Sequence, residues 1–350
     1  MKKNRKNLWN LLFLAAVFIL TLWSVFHGQD LNQVVTFLAS AEPVYIILSI
    51  FCVILFILGE SVVICYLLKT LGNRVRFSHC CLYSFIGFFY SCITPSASGG
   101  QPMQVVAMRK DRIPVAVSTV VLAIVTITYK LVLVMIGAAI LLFRPQQLMT
   151  YLVPVEPIMH LGLWLNVICI TALLLLVFHP DAIRVLAERT LALLNRIHPF
   201  RNPEKQQQRL QRILGQYHGT AEFYRSHKHV IVHVFLITLL QRCLLFLVTW
   251  FTYRAFSLSG HSLPVILGLQ AMISVAADML PLPGGMGISE NLFLDIFLPV
   301  FGEALVLPGM MVSRGISYYT QLLISAGMTV VSSFIITDKE KKKEGSQCFD

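Results

Sequence analysis

Two stretches decide how this sequence folds. The first is Thr94-Pro95-Ser96-Ala97-Ser98-Gly99-Gly100-Gln101-Pro102-Met103-Gln104, and the second is Leu280-Pro281-Leu282-Pro283-Gly284-Gly285-Met286-Gly287-Ile288-Ser289-Glu290. Each interrupts an apolar region with proline and glycine. Leu82–Ile93 leads into the first and Met103–Met108 leaves it; Leu263–Leu280 leads into the second and Ile288–Phe301 leaves it. A helix needs about 20 apolar residues to cross the hydrocarbon core, so neither interrupted pair reads as a plain span. Irregular backbone at membrane depth is tolerated only where protein buries it or it lines a cavity. The pattern therefore predicts two re-entrant, glycine-broken hairpins.

Outward from the hairpins, six longer apolar runs read as full spans: Leu8–Phe26, Val44–Leu68, Ile113–Phe143, Ile158–Phe178, Val230–Tyr253 and Met310–Ile336. The composition agrees with an all-α polytopic membrane protein. Only 13% of the 350 residues are charged, about half the roughly 25% of soluble domains. The net charge of +11 does not point to nucleic acid, because the basic residues sit in short blocks between apolar runs. Basic loops of that kind face anionic lipid on the cytoplasmic side. The eight cysteines show no C-x-x-C spacing, which leaves neither a disulfide framework nor a zinc site. Ala39-Ser40-Ala41 resembles a signal-peptide cleavage site but lies too far beyond Leu8–Phe26, so that segment reads as a retained anchor.

Most Lys and Arg fall in Lys69–His79, Arg109–Arg112, His179–His229 and Asp338–Glu344. The loops His27–Pro43, Arg144–Pro157, Arg254–Ser262 and Gly302–Gly309 are nearly free of them. Placing the basic loops inside gives cytoplasmic N- and C-termini, with the first hairpin entering from the cytoplasm and the second from outside. The expected organisation is one transmembrane domain over 1–336, with halves at 8–143 and 158–336. A cytoplasmic insertion lies within the second half at 179–229, and a basic tail follows at 337–350. Within the insertion, Ile183, Leu186, Leu191, Leu194 and Ile197 fall roughly on one helical face, which suits either an amphipathic surface helix or a linker helix packed on the bundle.

A shift of 185 positions carries Val44–Leu68 onto His229–Tyr253 and Gly99-Gly100 onto Gly284-Gly285. It also brings Tyr129, beside Lys130, onto Arg314. An odd number of crossings separates the copies, so they point opposite ways. Inverted repeats with paired broken helices are a transporter architecture, whose substrate site lies near the midplane between the broken elements.

Ionisable residues within spans are costly and tend to face a cavity or a partner. Here they are Glu60, Lys130, Arg242, Asp278, Glu290, Asp295 and Arg314. Lys130 and Arg314 occupy repeat-related spans and together would suit a phosphodiester. Glu60, Asp278 and Glu290 would balance them or receive an ammonium group; the alternative is internal pairing, such as Glu60 with Arg242. In the hairpins, Gly99, Gly100, Gly284 and Gly285 permit left-handed turns and close approach to a ligand. Ser98, Gln101, Gln104 and Ser289 add polar partners near half-helix N-termini that favour anions. His229 and His233 read as interfacial histidines rather than a metal pair. No nucleotide-binding loop, haem motif or nucleophile elbow occurs, and no cofactor is expected.

The strings SGGQP and PLPGGMGISE, in this order and span pattern, resemble the transmembrane region of lysylphosphatidylglycerol synthases, the flippase module of the multiple peptide resistance factor. The resemblance runs from about Leu8 to Ile336. It implies a cell-membrane protein that moves a phospholipid such as lysylphosphatidylglycerol between leaflets and protects against cationic antimicrobial peptides. Bifunctional members add a cytosolic lysyltransferase domain, for which the sequence after Ile336 offers no room, so transfer of lysine is not expected of this chain. The expected partners are the phospholipid, the membrane, a separate lipid-aminoacylating synthetase and a second copy of the chain. Two other functions fit the same residues: an intramembrane lipid-modifying enzyme using Glu290 or Asp278 as base, and a scaffold that recruits a synthetase through His179–His229.

Overall fold

The computed structural model describes residues 41–94, 97–178, 203–280 and 287–335, together with positions 185, 189 and 285. The expected span Leu8–Phe26, the apolar face expected at 183–197, the tail from 337, and Gly284 lie outside these residues. All regular structure among the described residues is helical.

The chain runs through α1 (Pro43–Thr70), α2 (Phe77–Ile93), α3 (Gly100–Lys110), α4 (Val115–Phe143), α5 (Gln146–Leu152) and α6 (Glu156–Phe178). It continues through α7 (Pro203–Ser226), α8 (Lys228–Ala255), α9 (Leu263–Ala277), α10 (Ile288–Phe301), α11 (Val306–Arg314) and α12 (Gln321–Ile335). Four stretches are long and apolar enough to cross a membrane: Pro43–Thr70, Val115–Phe143, Gln146–Phe178 and Lys228–Ala255. Shifting the bounds of α1 by 185 gives Lys228 and Ala255, the bounds of α8.

One expected loop is largely helical, and one expected span is not a single α-helix. Within Arg144–Pro157, α5 and a 3₁₀ turn at Val153–Val155 lead straight into α6. Pro154 and Pro157 fall within that expected loop and both stand in the first turn of a helical element, where the missing N–H has no partner to lose. The last expected span, Met310–Ile336, begins earlier, at Val306, and is not one α-helix. A π-helical turn, Gly315–Thr320, joins α11 to α12.

Each interrupted pair folds back on itself. At the base of the first, His79 in α2 meets Asp111, just past α3, at 2.6 Å, and the Tyr83 hydroxyl donates to the same carboxylate. At the base of the second, Tyr253 touches both ends. Its hydroxyl accepts from the His261 amide at 3.1 Å, and its ring stands 5.5 Å from that of Phe301, the last residue of α10.

The two bases sit in different apolar clusters. Tyr83, Met108 and the first half of α4 (Val120, Val121, Ile124) belong to one, and Tyr224 of α7 joins it by donating to Leu67 O at 2.7 Å. Ile140 at the far end of α4 belongs to the other, with Tyr253, Ile266, Phe297 and Phe301. Lys130 lies between them, midway along α4. A third cluster packs α1 on α8 through Phe56, Ile57 and Val248, and receives Ile316 of the π-helical turn. Burying side chains of this size stabilises each by roughly 1.5–3 kcal/mol in water. Within a bilayer the hydrophobic part falls away and close packing carries the association.

Candidate functional site

A cavity of about 470 Å³ lies between the two clusters, where the hairpin tips meet the middles of α1, α4 and α8. Ser98 and Gln101 come from the first tip; Asp278, Gly285 and Ser289 come from the second. Glu60, Lys130 and Arg242 are supplied by the midpoints of α1, α4 and α8, Gln104 by α3, and Arg314 by the end of α11. Ten of the residues expected from sequence therefore share one space. Gly99, Gly100 and Glu290 stand behind the described lining.

The glycines act differently from expectation in the first hairpin. Gly99 is right-handed, at φ −81°, and the left-handed residue is Ala97, at φ 54°. What Gly100 provides is room: a Cβ there would run into Ser91 Oγ and lie 2.6 Å from Gly87 O. Gly87 in turn has the Gln104 amide against it. Glycine thus lets α2 and α3 close backbone to backbone. In the second hairpin Gly285 is left-handed at φ 67°, as expected, and so is Gly287 at φ 81°, which the sequence had not singled out.

The charges are arranged in pairs. Lys130 Nζ lies 2.6 Å from Asp278 Oδ2, and it also reaches Asn166 Oδ1 at 3.5 Å and Met279 Sδ at 2.9 Å. Arg314 Nε donates to Glu290 Oε1 at 3.0 Å, while Ser289 Oγ donates to the other oxygen of that carboxylate, also at 3.0 Å. Glu60 accepts from Gln104 Nε2 at 2.6 Å. Gln101 donates to Thr126 Oγ1. The ion pair weighed between Glu60 and Arg242 takes another form, since Arg242 meets Asp278 Oδ1, at 4.0 Å from NH2. Lys130 and Arg314 are not a bare pair of cations, because each is held by its own carboxylate. Asp278 is shared by two basic residues from different helices.

Five contributors were missed by reading the sequence. Tyr129 lines the cavity with the Arg242 guanidinium carbon 3.3 Å from its ring centroid. Asn166, fully buried in α6, bonds Val275 O at 3.3 Å and so ties α6 to the stem of the second hairpin. Thr249 donates to Gln270 Oε1 at 2.9 Å, and its hydroxyl lies 2.9 Å from that of Ser313. A polar residue inside an apolar run was the available signal for Asn166 and Gln270. For Tyr129 there was only its position beside Lys130.

Mixed charge in a cavity inside an apolar bundle has a chemical consequence. Isolated buried ions are very unfavourable, and paired ones persist only where geometry and hydrogen bonds compensate desolvation. A ligand with both signs of charge can exchange partners with such pairs without leaving any ion bare. His233, by contrast, lies away from this space and shares a 2.9 Å hydrogen bond with Tyr66.

No curated protein matches the chain. A family model described as "Lysylphosphatidylglycerol synthase TM region" matches residues 8–325, which include every described residue lining the cavity. On that match, the chain belongs to the lysylphosphatidylglycerol synthase transmembrane-region family and is a membrane protein with a lipid-related role.

Proposed function

We propose that this protein is a phospholipid translocase of the cell membrane, moving an aminoacylated phosphatidylglycerol such as lysylphosphatidylglycerol between leaflets. The observation that carries the reading is the cavity where Lys130, Arg242 and Arg314 stand with Glu60 and Asp278 midway along the bundle. A lysylated headgroup bears one phosphate and two amines, so it needs acceptors as well as donors. Glu60, which accepts from the neutral Gln104, and Asp278 serve the amines in this reading. Six spans, cytoplasmic termini and hairpins entering from opposite faces would place the cavity near mid-bilayer, where transporters built from inverted repeats bind substrate. Moving the lysylated lipid outward would lower the negative charge of the outer surface and so weaken attack by cationic peptides. A separate synthetase would supply the lipid.

The enzyme alternative draws less support. Asp278 and Glu290, the carboxylates it would use as base, are each engaged by a cation.

A leaflet assay tests the proposal, using purified protein in proteoliposomes with labelled lysylphosphatidylglycerol and, in parallel, phosphatidylglycerol. Transfer of the lysylated lipid, chemically unchanged, is the expected result. No transfer of either lipid, or recovery of a modified lipid, would remove the translocase reading.

A further inference from the structure

The three cavity cations differ in how far their hydrogen-bonding capacity is used. Lys130 has three donors and meets Asp278, Asn166 and Met279. Arg314 holds Glu290 through Nε at 3.0 Å. Arg242 stands apart. It sits midway along α8, only 3% exposed, and its Nε has no hydrogen-bond partner among the described residues. Its contact with Asp278 is 4.0 Å, too long for a hydrogen bond. Below its guanidinium carbon lies the Tyr129 ring, 3.3 Å away at the centroid. The aromatic face satisfies charge and the Tyr129 hydroxyl lies within reach of the guanidinium, but Nε is left without an acceptor.

A buried donor left without an acceptor is costly, and more so when charged. Asp278 does not relieve Arg242, because its other oxygen is drawn to Lys130 at 2.6 Å. The remaining cavity residues that α8 contributes, Leu245 and Thr249, carry no charge. The guanidinium is thus held in place by Tyr129 and Asp278 with donors to spare at the cavity.

From this arrangement we infer that Arg242 is the phosphate receptor of the cavity: its guanidinium edge takes the two non-bridging oxygens of a phosphodiester. The inference rests on the translocase reading for the identity of the ligand, but the chemistry is that of any phosphate oxyanion. Arginine suits the task better than lysine, since its planar fork matches two oxygens at once. Tyr129 beneath the fork fixes its plane, and Asp278 keeps the charge paired while the site is empty. Lys130 and Arg314, which the sequence alone favours for this role, would keep their carboxylates and shape the walls.

The test uses the full chain in a maltoside detergent, which contains no phosphate. Binding of phosphatidylglycerol, of its soluble headgroup glycerophosphoglycerol and of inorganic phosphate is read by native mass spectrometry and ligand-dependent melting. R242K retains the charge that faces Asp278 and loses the fork. We expect it to melt without ligand as the wild type does and to bind phosphatidylglycerol about tenfold or more weakly, the scale of a lost bidentate charge-assisted contact. R242Q leaves the Lys130–Asp278 pair intact and serves where R242K does not fold. Wild-type binding of the lipid and the soluble headgroup, both weakened in the variant, supports a headgroup site. Binding of inorganic phosphate alone, weakened in the variant, supports the oxyanion site and assigns it to free phosphate. Equal binding of every probe by wild type and folded variant overturns the inference. In proteoliposomes the two readings separate. Equal transfer by wild type and R242K sinks the receptor and keeps the translocase, whereas variant-sensitive binding with no wild-type transfer does the reverse.

Discussion

Gln241 Nε2 donates a 2.9 Å hydrogen bond to the carbonyl oxygen of Phe56, and these two residues are 185 positions apart, the same offset that relates α1 to α8. The hydrogen bond ties α1 to α8 where they cross, with Glu60 and Arg242 about one turn or less along each helix, both on the cavity.

The same crossing gives the first prediction. A Cβ on Gly59 would lie 2.9 Å from Gln241 Cγ, so the helices approach at glycine. Replacing Gly59 by Leu should force α1 away from α8, and overpacking of this kind costs about 1–3 kcal/mol. Thermal unfolding in detergent should show a lower midpoint. An unchanged midpoint would mean that Gln241 swings aside freely.

The Lys130–Asp278 pair gives the second. Removing one partner of a buried pair leaves a bare charge and costs about 3–5 kcal/mol, while replacing both by apolar residues is often neutral. D278L should therefore be markedly less stable than the wild type, and the double variant K130M/D278L should recover only the part of the loss due to Lys130, since Arg242 still lacks its carboxylate. Stability recovered without lipid transfer would assign the pair a role in the site beyond packing. Full transfer by the double variant would confine it to packing.

The base of the first hairpin gives the third. Asp111 accepts from both His79 and the fully buried Tyr83. D111A would leave the Tyr83 hydroxyl without its acceptor, a loss of about 1–3 kcal/mol. Hydrogen exchange should then rise at the ends of α2 and α3 before it rises in α9 and α10. Uniform change across both hairpins would argue against a local clasp.

A fourth prediction concerns α6. A Cβ at Gly162 would stand 2.5 Å from Val275 O and 2.6 Å from Ala276 Cα, both backbone atoms of the second hairpin's stem. Gly162→Ala should displace α9 and weaken the 3.3 Å bond from Asn166 to Val275 O. Lower yield of folded protein and a depressed melting point are expected, whereas the same substitution at Gly327, which a Cβ would leave clear, should be nearly silent.

Much of the fold was legible in the sequence because its signals are local. Apolar length marked α1, α4, α6 and α8, and Pro with Gly marked the tips at Thr94–Gln104 and Leu280–Glu290. The expected loop Arg144–Pro157 is largely helical all the same, since proline breaks a helix interior but not its first turn. The π-helical turn at Gly315–Thr320 left no mark in the hydropathy, because an apolar stretch reads alike whether its carbonyls are met by the fourth or fifth amide.

The membership of the site was also largely readable, since a charge in an apolar run needs a reason wherever it occurs. Its wiring was not. Lys130 and Asp278 are 148 positions apart, and Phe56 and Gln241 are 185 apart. The sequence by itself determined that Glu60, Lys130, Arg242, Asp278 and Arg314 would be buried and would seek partners. Only the tertiary structure decided that Asp278 holds Lys130 at 2.6 Å and leaves Arg242 at 4.0 Å. Hydropathy and backbone sterics act over a few residues, whereas pairing depends on which helices cross and at what height, and no local pattern carries that information.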